Sequence, residues 1–307
     1  MSKYPVVYVV ADRPEVFAEL IPGALGLGER VEAILAGHPA NASGVFSLGA
    51  DKLLTIAPRE REIFENYAPS IAKAISATPN ALVLLAADKR GKAMAAKLGK
   101  ALNAAVINDV NTFDEGKSGH MVYGGLAQGT EKPATDIVVT TVAPGAFEQG
   151  ELGEGSGETV ALDFIEPAHP ITLREKRKLK ASSVNIGKAR RVVGVGRGFA
   201  KKEDLALARA LADAIGAELA CSRPIAEGEH WLERERYVGV SGVAIKPEVY
   251  FTLGISGQIQ HMVGARDSRT IIVVNKDKNA PIFKFADYGI IGDLYKILPA
   301  LKKALGK

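Results

Sequence analysis

The chain has 307 residues, 47% of them hydrophobic and 24% charged, enough for about two domains with their own cores and inconsistent with a disordered or collagen-like chain. Its single cysteine, Cys221, excludes an intrachain disulfide framework and any zinc site built on two or four cysteines. The net charge of +4 is unevenly spread: residues 1–173 hold 14 Lys and Arg against 21 Asp and Glu, whereas residues 174–307 hold 25 against 14, so a basic part suited to anions follows an acidic one.

In chain order, the N-terminal half alternates short β-branched runs with amphipathic stretches. Val6 to Val10, Val31 to Leu35, Lys52 to Ile56, Ala81 to Leu85 and Ala104 to Ile107 read as strands. Between them Glu15 to Leu25, Ile63 to Ser76 and Gly91 to Leu102 carry helical spacing, with Ile71, Ala72 and Ile75 on one face. Such alternation predicts a parallel sheet covered on both sides. From Val110 to Pro167 the pattern becomes Gly-rich, with strands expected at His120 to Tyr123, Ile137 to Val142 and Thr159 to Phe164 as an antiparallel extension or edge of that sheet. Gly145 to Gly157 has no periodicity and reads as an exposed loop.

The basic run Arg174 to Lys180, continuing through Lys188, Arg190 and Arg191, contains no aromatic residue for base stacking and reads as a solvated linker or helix face rather than a nucleic-acid patch. Alternation restarts at Arg191 to Gly196. A helix at Lys201 to Ile215, strands at Ala217 to Cys221, Val249 to Leu253 and Thr270 to Val274, and a last helix from Gly292 to Leu305 complete a second α/β unit. The expected architecture is α/β, two three-layer domains with mostly parallel sheets over residues 1–187 and 188–307. The N-terminus lacks the apolar run of a signal peptide, and no apolar stretch approaches the roughly 18 residues of a membrane span, so a cytoplasmic location is expected.

Chemistry concentrates in the second half. Tyr250 to His261 reads as a strand entering Gly254, a Ser-Gly turn and helical character from Gln258, an arrangement in which bare backbone and a helix start accept phosphate. A serine-nucleophile reading fails, because Gln258 stands where the second glycine of G-x-S-x-G belongs and His261 is poorly placed to reach Ser256. Val192 to Phe199 is a second strand-to-glycine turn, G-x-G-x-G, with Arg197 inside it as a phosphate-suited cation. Ser222 and Arg223 end the strand Ala217 to Cys221, Asn275 follows the strand Ile271 to Val274, and Asp293 opens the last helix, where capping is its plain role. The scattered His38, His120, His169 and His230 suggest no metal site.

These strand ends, in this order, resemble the FAD domain of the electron-transfer flavoprotein alpha subunit. The resemblance is carried by Gly254-Ile-Ser-Gly-Gln-Ile-Gln-His261, Ile272 to Asp277, Ala280 to Phe283, Ala286 to Gly289 and Gly292 to Leu294. Cys221 to Gly228 and Glu233 to Tyr237 look most like the bacterial FixB-type branch, and Lys89 to Ala93 and His120 to Gly125 extend the likeness more weakly over the first half. The resemblance implies an electron carrier, not an enzyme. It implies a heterodimer with a beta subunit, contacted by the N-terminal domain, and one FAD in a Rossmann-like C-terminal domain. The implied donors are flavin dehydrogenases of acyl-CoA type, as in fatty acid beta-oxidation, or small carriers, and the implied acceptor is a quinone reductase.

Carried over by motif, Arg197 and Ser222 belong to the phosphate and ribose side. The turn Val238, Gly239, Val240 and Ser241 passes the flavin ring, and Ser256, Gly257, Gln258, Ile259, Gln260 and His261 line pyrophosphate and ring. Asn275 and Asp293 hold the adenosine end. Arg223 matches the arginine over the isoalloxazine and His261 the histidine at the C2 carbonyl; a guanidinium and an imidazole donor there favour the reduced ring. Many members have glutamine, threonine and lysine where this chain has Val240, Ser241 and Val243. The alternative carried alongside is an NAD(P)-binding oxidoreductase subunit with a transhydrogenase-like domain.

Overall fold

The structure is a computed structural model that describes residues 4–38, 44–114, 116–175 and 185–306. The core of the basic run, residues 176–180, lies outside them. The chain forms two compact units, residues 1–122 with 128–177, and 123–127 with 178–307.

In the first unit β1 (Tyr4–Ala11), α1 (Phe17–Leu27), β2 (Gly28–Ala36), α2 (Gly44–Ser47), β3 (Lys52–Ile56), α3 (Ala68–Ser76), β4 (Ala81–Ala86) and α4 (Lys89–Leu102) precede β5 (Ala105–Asp114), β6 (Lys117–Val122), β7 (Ala127–Glu131), β8 (Val138–Val142) and β9 (Glu158–Ala161). They build one sheet in the order β7-β6-β5-β8-β4-β1-β2-β3-β9. The period of two along β1 sends Val7, Val9 and Ala11 into one core and Val6, Tyr8 and Val10 into the other, so both faces are covered. β7 and β9 are the edges, and β6, next to β7, runs antiparallel to β5, but β8 is internal, and both β8 and β9 run parallel to their neighbours, contrary to the antiparallel extension expected over that segment. All five residues of β8 are buried, which suits a central strand between β4 and β5.

The order of strands reverses between β1 and β4, the kind of place where open α/β sheets bind ligands. Here side chains occupy it. Asp12 after β1 pairs with Arg13 and Arg90, and Arg13 Nη2 lies 2.6 Å from Asp88 Oδ2. Asp88 Oδ1 also accepts from Gly91 N at 2.8 Å, capping α4. Burial opposes the charge of Asp88, yet the Gly91 N–H and the Arg13 guanidinium hold its carboxyl below the usual range.

The second unit contains β10 (Arg191–Val195), α5 (Leu205–Ile215), β11 (Glu218–Cys221), β12 (Val249–Leu253), α6 (Ile259–Met262), β13 (Ile271–Asn275), β14 (Tyr288–Ile291) and α7 (Leu294–Ala304). Its sheet is parallel throughout, in the order β11-β10-β12-β13-β14. Leu205, Ala208, Leu211 and Leu298 from α5 and α7 cover one face together with Val193 and Leu253; Ile186, Val238, Ile245, Met262 and Ile282 cover the other. Gly216 ends α5 at φ 62°, in the left-handed conformation that closes a helix at little cost for glycine. α5 begins four residues later than its sequence pattern suggests: residues 201–204 close i+3 turns, with Asp204 N donating to Lys201 O at 3.3 Å and Leu205 N to Lys202 O at 3.1 Å, and Asp204 accepts from Tyr295 Oη at 2.6 Å.

Candidate functional site

In the second sheet the chain turns one way from β10 to β11 and the other way to β12, so the strand order reverses between β10 and β12. Two glycine turns cross at their carboxyl ends. Gly196 N donates to Leu253 O at 2.9 Å and Gly198 N to Gly254 O at 3.0 Å. The backbones are so close that a Cβ on Gly196 would lie 2.4 Å from Gly254 O, and one on Gly198 2.6 Å from Gly254 Cα. Gly254 itself sits at φ +64°, so glycine is required there on two counts. Gly257, at φ +78°, would drive a Cβ to 2.4 Å from Ile282 Cα.

Around this crossing lies a cleft of about 570 Å³, in the range of cofactor sites. Arg197 follows the first glycine turn, Ser222 and Arg223 follow β11, and Ser256, Gln258, Gln260 and His261 follow β12; all line the cleft. Val240 and Ser241 form another wall, and Asn275 closes the end of β13. A second cavity of about 260 Å³ shares Gly198, Gly254, Asn275 and Lys276 with it and includes Asp293.

The polar groups of the cleft are already ordered. Arg223 Nε lies 2.7 Å from Glu227 Oε2, which raises the guanidinium pKa, and Arg234 Nε lies 3.4 Å from the other carboxylate oxygen. Ser241 Oγ is 3.2 Å from Tyr237 Oη. Asn275 Nδ2 donates to Ile255 O at 2.8 Å and its Oδ1 accepts from Asp277 N at 3.0 Å, tying the β13 end to the glycine turn. His261 is buried, with Nε2 at 2.8 Å from Tyr250 Oη. Its Nδ1 is shielded from solvent and makes no hydrogen bond of acceptable geometry, although the Val238 backbone is near. Burial pushes the imidazole down to about 4, so it is neutral at pH 7.

Residues 14–167 match the family model described as "Electron transfer flavoprotein domain", and residues 185–266 match "Electron transfer flavoprotein FAD-binding domain". Over the full length of both chains this one is 47% identical to "Putative electron transfer flavoprotein subunit YdiR" of Escherichia coli (strain K12). The chain belongs to the electron transfer flavoprotein family. Protein FixB of Salmonella typhimurium is 47% identical and that of Escherichia coli O6:K15:H31 48%, each with full coverage of both chains. The flavoprotein is thus an alpha subunit of FixB type, an electron carrier of a family whose alpha subunits pair with a beta subunit. That membership replaces the nicotinamide alternative. The glycotransferase of kitacinnamycin, among solved structures, is 12% identical over 100% of this chain and 94% of its own at a TM-score of 0.22, too low to bear on the fold.

Within this alpha subunit the residues singled out from sequence separate into two groups. Arg197, Ser222, Arg223, Val240, Ser241, Ser256, Gln258, Gln260, His261 and Asn275 come together in the one cleft. Val238 is fully buried in the core beneath it, Gly239 is buried beside Gly264, Gly257 is packed on Ile282, and half-buried Ile259 opens α6; none of these four lines it. Asp293 caps α7 by accepting from Tyr295 N at 2.9 Å, while also lining the smaller cavity. The helical character expected from Gln258 amounts to the single turn of α6, too short for a substantial helix dipole. Tyr237, Lys276 and Asp277 line the cleft without having been singled out as site residues. Lys276 and Asp277 follow Asn275 directly in a quoted strand end, and Tyr237 closes the quoted Glu233 to Tyr237 motif, to which no site role was attached. Cys221, beside Ser222, is buried and its thiol is pushed up to about 12 by desolvation, which makes it unreactive.

Proposed function

We propose that the cleft of the second unit holds one FAD and that the flavoprotein acts as a heterodimer with its beta subunit, in the cytoplasm, receiving electrons from flavin dehydrogenases of acyl-CoA type or small carriers and delivering them to a quinone reductase. In this reading residues 188–307 form a Rossmann-like FAD domain and residues 1–187 an α/β domain that contacts the beta subunit. The observation that carries it is the crossing of Gly196, Gly198 and Gly254 at the strand reversal, with Arg197, Arg223 and His261 lining the same cleft. Bare backbone admits a pyrophosphate and the guanidinium groups of Arg197 and Arg223 at the cleft suit its charge, so the residues fit the group. Among the described residues no helix is long and apolar enough to cross a membrane.

Arg197 and Ser222 would hold the phosphate and ribose side, where a guanidinium makes charge-assisted hydrogen bonds. Asn275 and Asp293 would hold the adenosine end, each fixed by a backbone bond of its own. Gly239, Val240, Ser241 and the segment Ser256 to His261 would shape the ring end, with Val238, Gly257 and Ile259 supporting the wall from behind. Bound there, FAD supplies reversible electron uptake, which adds negative charge to its ring. Arg223 keeps a positive charge near that end, His261 holds a neutral imidazole out of water, and Ser241 offers a hydroxyl. Dipoles and charges fixed before the electron arrives favour the reduced ring without reorganisation at the moment of transfer. Coexpression with the beta subunit followed by stepwise reduction of the visible spectrum tests the reading; Arg223→Ala is expected to lower the flavin potential.

A further inference from the structure

We infer that Tyr250 is a positioning residue whose hydroxyl donates to His261 Nε2 and so fixes the proton of this cleft-lining imidazole on Nδ1. The tautomer follows from this chain alone; its effect on a ligand rests on the flavin reading. Tyr250 lies in β12 with no exposed surface, and its ring is stacked against that of His261 at a centroid distance of 6.1 Å and an interplanar angle of 25°. Its Oη sits 2.8 Å from Nε2, and among the described residues this is the hydroxyl's one hydrogen bond.

Two arrangements satisfy that distance. If Nε2 carried the proton, the tyrosine oxygen would accept it and its own O–H would be buried without an acceptor, while Nδ1 would become a buried acceptor without a donor. A buried unsatisfied polar group costs enough to shift populations by a factor on the order of ten or more. If the tyrosine donates, its O–H and Nε2 are both satisfied and the ring's other nitrogen is an Nδ1–H donor beside the Val238 backbone. Burial raises the Tyr250 pKa and pushes the imidazole down to about 4, so at pH 7 the hydroxyl keeps its proton and the ring carries only one. β10 makes room for the contact: a Cβ on Gly194 would lie 2.4 Å from Tyr250 Oη. In this way a hydroxyl on β12 decides which nitrogen of a cleft-lining histidine carries the proton.

The test uses the flavin-free heterodimer of the full chain with its beta subunit, labelled with ¹⁵N-histidine in this chain, and then the same sample after addition of FAD. His261 is assigned by the signal missing from His261→Gln. Long-range ¹H–¹⁵N spectra at pH 7 are expected to show a protonated Nδ1 and an unprotonated Nε2 in the wild-type protein. Tyr250→Phe is expected to shift the proton toward Nε2, to weaken FAD binding two- to tenfold and to lower the flavin potential. A wild-type proton on Nε2 overturns the inference, and that reading needs no variant to fold. A folded Tyr250→Phe protein with unchanged histidine spectrum, affinity and potential overturns it as well. A wild-type Nδ1–H signal in a heterodimer that takes up no FAD upholds the tautomer and contradicts the flavin reading instead.

Discussion

At the scale of single residues the site is governed by two groups whose neighbours set their charge. Arg223 is two-thirds exposed and leans on Glu227. Replacing that carboxylate by an amide leaves the guanidinium uncompensated, so Glu227→Gln is expected to raise the flavin potential and Arg223→Ala to lower it. Solvent screening at so open a position keeps each shift to tens of millivolts, within about a tenfold change in a one-electron equilibrium constant, and potentiometric titration reads it. His261 behaves in the opposite way because it is buried. The unfolded chain protonates this ring near pH 6.5 and the folded chain only near 4, so its contribution to stability is complete above pH 6.5 and is lost as pH falls toward 4. Urea unfolding of wild type and His261→Gln across that window is expected to diverge by up to about 3 kcal/mol in pH dependence, the variant having the flatter profile. Sequence made these residues visible as strand ends and as family motifs, but it could not give their orientation. Val238 and Gly257 stand in the same motifs as Val240 and Ser256 and are buried behind the wall, a distinction set by the turn geometry and by Ile282.

At the scale of elements the site depends on turns that admit no side chain and on a capped helix. Gly254→Ala meets both a positive φ and the Gly198 backbone, so it is expected to destabilise the chain by more than about 1 kcal/mol and to abolish FAD uptake by the folded remainder, measured by denaturation and by flavin titration. Asp293→Ala removes the cap of α7 and is expected to cost about 1 kcal/mol in the same denaturation experiment. Most strands and helices were readable because each carries a clear period: β3 and β12 coincide with their patterns residue for residue. β7, Ala-Gln-Gly-Thr-Glu, and β14, Tyr-Gly-Ile-Ile, escaped because edge strands with glycine and exposed side chains carry little alternation. The parallel sense of β8 and β9 was also hidden, since a buried apolar run fixes that a strand is central but not the direction of its neighbours.

At the scale of the whole molecule the two units share an α/β plan and use its reversal point differently. In the first, Asp12, Arg13, Asp88 and Arg90 neutralise one another at the strand ends. In the second, glycines leave the corresponding place open, and Arg197, Arg223 and the neutral imidazole of His261 line it. The charge asymmetry read from composition agrees with this division, the basic part being the one with the open cleft. The central claim is that this cleft holds the flavin. The most direct measurement is the FAD content of the heterodimer purified with wild-type chain and with Gly254→Ala. The expected result is a yellow wild-type complex and the loss of one flavin equivalent in the folded variant; a colourless wild-type complex after FAD addition, or an unchanged flavin content in the variant, would contradict it.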